Sequence, residues 1–330
     1  MTVHQHLDVF HHLPVFTLPE PPEGDPAPKD PPGLLPATAD VAWRLDCYQS
    51  GEMAFPDLWE SFLDRVPSEE VRALVVGPWW YDEYTDLRPA LERILADAER
   101  FPQLRALFLA DVIGEECEIS WLQLTDVTPV LEAFPLLEEF GVRGGDSQGL
   151  GEEPLSLRPV RHEALRVLRF ESGGLPGQVV RSVSACELPA LERLELWLGV
   201  SQYGGDATVA DLAPLLSGGR FPALRHLGLC NSELQDEIAA AVASAPVVAQ
   251  LESLDLSMGT LTDTGAEALL SGQPLTHLRR LDLSHHFLSE AVADRVRTAL
   301  GSAGTGVDLS DAQEPHRWRD EEWRFVAVSE

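Results

Sequence analysis

Few of the residues able to do chemistry stand at the spacings that chemistry needs. Histidines gather at His4, His6, His11 and His12, and again at His285 and His286. Adjacent histidines on a strand point to opposite faces and make poor chelates, so no metal set is expected from them. Cys47, Cys117, Cys186 and Cys230 lie 70, 69 and 44 residues apart. That spacing gives neither a CxxC pair nor the density of a disulfide framework, and reduced thiols are expected. Lys29 is the sole lysine and sits among prolines, which excludes a Walker-type loop with Gly-Lys at a strand-to-helix turn. HExxH, GxSxG and a helix-opening GxGxxG are absent. Gly301, Gly304 and Gly306 follow a helical pattern and read as its terminus. The expectation is a chain that is not an enzyme and takes no cofactor.

The charge narrows the partner. Aspartate plus glutamate outnumber lysine plus arginine 54 to 24 over 330 residues, a net charge of −30. Such a surface repels phosphate backbones and favours a protein partner with a basic patch over nucleic acid. Met1 to Phe16 lacks a basic, apolar leader, and no run reaches eighteen apolar residues. A cytoplasmic protein without a membrane contact is expected.

The elements that must position any site emerge from an internal period. The phrase Leu-x-x-Leu-x-Leu, or a close apolar variant, starts at Val71, Leu104, Leu137, Leu165, Leu191, Leu224, Leu251 and Leu278, with gaps of 33, 33, 28, 26, 33, 27 and 27 residues. A partial ninth copy, Val307-Asp308-Leu309, follows. Proline introduces four copies at Pro102, Pro135, Pro189 and Pro222, ending the preceding helix and extending the chain. Between the phrases the period becomes helical, as in Leu87, Leu91, Ile94 and Leu95 or Leu288, Val292, Val296 and Leu300. Thr128 before Pro129 and Thr262 before Asp263 read as helix N-caps. A strand plus a helix this short cannot bury its own apolar face, so the units must stack.

The run from Leu251 to Leu270, opening Leu-Glu-Ser-Leu-Asp-Leu-Ser, resembles a leucine-rich repeat of the ribonuclease-inhibitor type. The likeness extends from about Arg72 to Ser310. Phrases at Glu139 to Gly145 and Asn231 to Ile238 are similar to a bacterial family of such proteins. It implies an α/β leucine-rich repeat solenoid, a horseshoe with parallel strands on the concave face and helices on the convex face. No activity is implied. The usual asparagine of the repeat is replaced by Gly173, Ser232, Gly259 and His286.

Four regions are expected: an N-terminal segment with a Pro-rich flexible arm (1–39), an N-terminal cap (40–70), the solenoid (71–310) and a C-terminal tail or cap strand (311–330). The second phrase position, Arg72, Arg105, Glu138, Arg166, Glu192, Arg225, Glu252 and Arg279, largely alternates in sign. Parallel strands lie about 4.8 Å apart, so this row reads as a structural ladder. The middle outward row supplies Phe108, Arg169, Glu195, Asp255 and Asp282 as candidate contacts. The three long gaps carry aromatics soon after their strands, including Trp80, Trp121, Trp197 and Tyr203. Tryptophan and tyrosine commonly anchor interfaces, so these four are expected on one strand-exit rim as the main recognition surface. The resulting expectation is a non-enzymatic protein-interaction module using the concave face and this rim. The alternative is a regulatory or scaffolding subunit that positions a bacterial enzyme or its peptide substrate.

Overall fold

The computed structural model describes residues 3–21, 30–31, 33–145, 153–301, 304–319 and 321–330. Each leucine phrase forms a short strand whose leucines turn inward, and the next stretch of chain returns over the same face. The sheet opens with a hairpin, β1 (Val9–Phe10) and β2 (Leu13–Thr17), and continues through β3 (Ala42–Leu45), β4 (Ala73–Val76), β5 (Ala106–Leu109) and β6 (Glu139–Arg143). It proceeds through β7 (Val167–Glu171), β8 (Arg193–Gly199), β9 (His226–Ser232), β10 (Ser253–Asp255), β11 (Arg280–Asp282) and β12 (Gly306–Asp308). The twelve strands follow chain order in one open sheet. Every pair from β2 to β12 is parallel, and only β1 is antiparallel to its neighbour.

Eight α-helices among the described residues lie between or after strands. They are α1 (Phe55–Arg65), α2 (Arg88–Ala96), α3 (Thr128–Ala133), α4 (Gly177–Ala185), α5 (Val209–Leu216), α6 (Gln235–Val242), α7 (Asp263–Ser271) and α8 (Glu290–Gly301). Alternation within each strand divides the sheet into two faces. Leu74, Leu107, Phe140, Leu168, Leu194, Leu227, Leu254 and Leu281 are all buried in the core shared with Leu91, Ile94, Val179, Leu212 and Ile238 from the helices. Thr262 caps α7 by accepting from the Thr264 N–H at 3.2 Å. Thr128 is instead the first residue of α3, where its hydroxyl accepts from the Arg158 N–H at 2.8 Å.

Both ends depart from expectation. The sheet starts at Val9, so the segment before the prolines belongs to it. Residues 40–70, expected as a cap, hold a strand and a helix, β3 and α1, and β3 pairs with β4 in the same sheet. Pro22, Pro26, Pro28 and Pro32 of the expected flexible arm lie outside the described residues. At the other end, β13 (His316–Trp318) and β14 (Glu321–Trp323) pair as a separate antiparallel hairpin. The chain then doubles back along the strand-exit edge of the sheet instead of covering its last strand.

Candidate partner-binding surface

The face away from the helices is closed over its first half by the chain's own N-terminus. Phe10 packs edge-on against Phe108, centroids 5.8 Å apart, in a cluster with Ala42, Ala73, Val75 and Ala106. Small residues on β3 to β5 leave room for these rings. Gly141 is needed beside them, because a Cβ there would meet Phe108 Cδ2 at 2.3 Å. The main chain of Leu7 donates to the Asp111 carboxylate at 3.2 Å, and the Gly114 N–H donates to the Val3 carbonyl at 2.7 Å. Phe108 was expected as an outward contact; it is fully buried, because the N-terminal segment supplies the apolar cover the sequence left unassigned.

A buried ion network lies next to this plug. Arg143 donates to Glu171 at 2.8 Å and to Asp111 at 3.1 Å, while Arg44 also pairs with Asp111. Burial disfavours the Arg44 cation and lowers its pKa, against the raising effect of nearby carboxylates. Such pairs fix geometry more than they add net stability, since removing either partner strands a buried charge.

Beyond β6 the same face is polar, with Glu195 and Asp282 each 9% exposed. Strand register places Arg169, Glu195, Gly228, Asp255, Asp282 and Asp308 in one row across β7 to β12. The first two form an ion pair. Glu195 accepts from Arg193 at 2.8 Å and lies 3.7 Å from Arg169, and Trp197 Nε1 donates to it at 3.1 Å. Burial opposes ionisation of Glu195, but the Arg169 and Arg193 guanidiniums outweigh it and hold its carboxyl below the usual range. His226, one row away, has its pKa pushed down to about 4 by burial and by Arg193. Its Nδ1 meets the Ser253 hydroxyl at 2.7 Å, while Nε2 has no hydrogen-bond partner.

The three aspartates behave differently. Arg280 reaches Asp282 at 2.7 Å and Asp308 at 3.2 Å, so one cation serves two carboxylates. Asp255 has no cation partner among the described residues; one of its oxygens accepts from the Ser257 N–H at 3.0 Å. Burial raises its pKa, Ser257 opposes the shift, and Asp282 adds to it. Paired carboxylates with too few cations make a receptive site for an incoming guanidinium or ammonium group.

The expected aromatic rim is divided among four environments. Trp80 is buried, edge-on to Trp79 and Tyr84 with both centroids at 4.8 Å, so its loop packs on itself. Trp121 is 45% exposed and donates to Glu118 at 2.9 Å. Trp197 stands within β8 on the open face beside Glu195, because its strand is longer than the repeat phrase alone suggests. Tyr203 donates its hydroxyl to the C-terminal residue Glu330, and this bond raises the phenol to about 12. Three of the five ladder arginines find acidic neighbours: Arg166 meets Glu192 at 2.6 Å, Arg279 meets Glu252 at 2.9 Å, and Arg105 meets Glu138 at 3.7 Å, while Arg225 bonds the Pro222 and Leu224 carbonyls.

Sequence reasoning missed the residues that hold the tail on the strand-exit edge. Asn231, Met258, His285 and Asp311 share positive φ values of 56°, 67°, 56° and 56° at successive repeats. Three of them grip the tail: the Ala327 N–H donates to the Met258 carbonyl at 2.8 Å, His285 Nε2 lies 3.0 Å from the Phe325 carbonyl, and Asn231 bonds Val328. Val326 and Val328 are buried there. The alternation Val326-Ala-Val328 was the available signal, but nothing local says what it pairs with.

Among the described residues no helix is long and apolar enough to cross a membrane, and all four cysteines are free thiols. No protein-family model matches the chain, and no curated protein matches it. Among solved structures it is similar to a protein from Bacteroides fragilis known from its crystal structure, with a TM-score of 0.72 and 29% sequence identity over 85% of this chain and 78% of that one.

Proposed function

We propose that the chain is a non-enzymatic protein-binding module: a ribonuclease-inhibitor-like leucine-rich repeat horseshoe whose concave face, between β7 and β12, takes a basic segment of a cytoplasmic protein partner. The observation that carries this reading is the row Asp255, Asp282 and Asp308, three carboxylates in strand register whose one arginine partner among the described residues, Arg280, reaches only Asp282 and Asp308. The N-terminal plug supports the β7 to β12 half as the binding half, because its packing among the described residues is on β3 to β6. Trp197 and Arg169 border the row and offer an aromatic and a hydrogen-bonding flank. A net charge of −30 supports a basic protein over nucleic acid.

The test is affinity purification from the native cell with the wild type and an Asp255→Asn/Asp282→Asn variant, followed by cross-linking to locate contacts. A partner retained by the wild type, lost by the variant and cross-linked through an Arg- or Lys-rich segment supports the reading. Equal capture by both, with cross-links confined to the helical side, contradicts it.

A further inference from the structure

Three donors of metal-binding type converge where the N-terminal segment crosses the ends of β3 and β5. Asp46 lies in the turn after β3 and is wholly buried. Its Oδ1 accepts from the N–H groups of Tyr48 and Gln49, both at 2.9 Å, and its Oδ2 has no hydrogen-bond partner. An unpartnered buried carboxylate oxygen is costly unless something positive meets it.

The other two donors face each other. His6 Nδ1 lies 3.1 Å from the main-chain carbonyl of Asp111, which can only accept, so Nδ1 carries the proton in that bond. In the neutral ring this leaves Nε2 as a lone pair, and it sits 3.2 Å from Glu116 Oε1. Two acceptors at that separation repel unless a proton or a metal ion lies between them. Arg44 lies near enough for its charge to act on Asp46 and Glu116, but the ion pairs that Arg44 and Arg143 form are with Asp111 and Glu171. Neither Asp46 nor Glu116 forms an ion pair with an arginine among the described residues. Glu116 is held by its other oxygen, Oε2, which accepts from the Ile113 N–H at 3.1 Å.

One ligand atom from each of His6, Asp46 and Glu116 lies within 4.8 Å of the others. Nitrogen and oxygen ligands bind zinc at about 2.0–2.1 Å in tetrahedral sites, which places neighbouring donors about 3.3 Å apart. The His6–Glu116 separation of 3.2 Å is close to that, and the Asp46 donor lies within 4.8 Å of both. The bond from Nδ1–H to a backbone carbonyl is also the outer support that fixes a metal-binding histidine in the correct tautomer.

We propose that His6 Nε2, Asp46 and Glu116 bind a divalent cation of the zinc class, pinning the N-terminal segment to the exits of β3 and β5. Three protein donors leave one coordination position to water. This site is independent of the acidic row on β10 to β12.

The test uses the full chain after treatment with a chelator, titrated with Zn²⁺ against a chromogenic competitor, with Co²⁺ absorption as a second readout. One equivalent should bind, Co²⁺ should give the visible bands of a four-coordinate site, and His6→Ala, Asp46→Asn and Glu116→Gln should each weaken zinc at least tenfold. His4→Ala should change nothing. If Asp46→Asn fails to fold in a thermal melt, the His6 and Glu116 variants decide, since those side chains are only partly buried. Wild-type binding no tighter than that of the folded variants, or binding abolished by His4→Ala and not by His6→Ala, overturns the proposal.

Discussion

Asn231 holds Val328 with both ends of its amide: Nδ2 donates to the Val328 carbonyl at 2.5 Å and Oδ1 accepts from the Val328 N–H at 2.9 Å, across 97 residues of chain. The same Nδ2 lies 3.2 Å from the Ser172 carbonyl. A side-chain amide is the one neutral group that reproduces a strand neighbour's paired donor and acceptor, so Asn231 extends main-chain pairing to a tail that has no strand beside it. Its φ of 56° is a conformation asparagine tolerates better than most residues. Removing the amide leaves buried backbone groups unsatisfied, at about 1–3 kcal/mol. Asn231→Ala should lower the melting temperature and expose residues 325–330 to protease, and Asn231→Gly, which keeps the backbone freedom, should lose less stability. Unchanged hydrogen exchange at the Val328 amide in Asn231→Ala would refute the clamp.

The N-terminal plug predicts a core-like cost far from the helical core. Phe10 is buried to 3% exposure against Phe108. Phe10→Ala should destabilise by about 3 kcal/mol, the scale of a buried aromatic truncation, as measured by denaturant unfolding. A loss below about 0.5 kcal/mol, the range of ordinary surface substitutions, would mean that the segment does not cover the sheet in solution.

The long-gap aromatics should separate by burial. Trp80→Ala should cost about 3–5 kcal/mol, because Trp80 is 6% exposed. Trp121→Ala should stay within about 1 kcal/mol, because Trp121 is 45% exposed. Thermal melts of the two variants check the order, and the reverse order would contradict the packing described for the Trp79–Tyr84 loop.

Stability should fall on acidification through His226. Burial and Arg193 bring its pKa down to about 4, from an ordinary value of 6.5 in the unfolded chain. As pH falls, the unfolded chain takes up the proton first. The contribution is therefore fully present above about pH 6.5 and is lost as pH drops towards 4. His226→Gln should show a shallower decline of unfolding free energy than the wild type over that window. Parallel profiles would show that His226 is not held neutral.

The repeat period was readable because an apolar residue, usually leucine, at each strand interior is a local requirement of each unit, and the strands from β4 to β12 fall on the phrases that state it. The alternation of charge along the second phrase position was readable for the same reason, with Arg166 and Glu192 meeting at one strand spacing. What escaped was non-local. Phe108 looks like an outward residue by its parity in β5, and nothing in its own segment says that Phe10 will cover it. Pro14 argues against a strand at Leu13–Thr17, yet β2 lies next to the edge of the sheet, where a missing N–H is tolerated. Asn231 precedes the position where the repeat ordinarily carries its asparagine, so the residue that binds the tail was passed over. Trp197 was assigned to the rim because the length of β8 depends on its pairing with β9, not on its own sequence.

If the β7 to β12 half of the open face receives a basic segment, Asp255 and Asp282 must contribute to its affinity. The most direct measurement is fluorescence anisotropy of a labelled Arg-rich peptide, titrated with the wild type, with Asp255→Asn/Asp282→Asn and with Glu92→Gln, an exposed acidic control on α2. The account predicts saturable binding that weakens with added salt, falls at least tenfold in the double variant, equivalent to about 1.4 kcal/mol, and is unchanged in the control. Equal binding by all three proteins, or no binding while an acidic or neutral peptide of the same length binds, would contradict it.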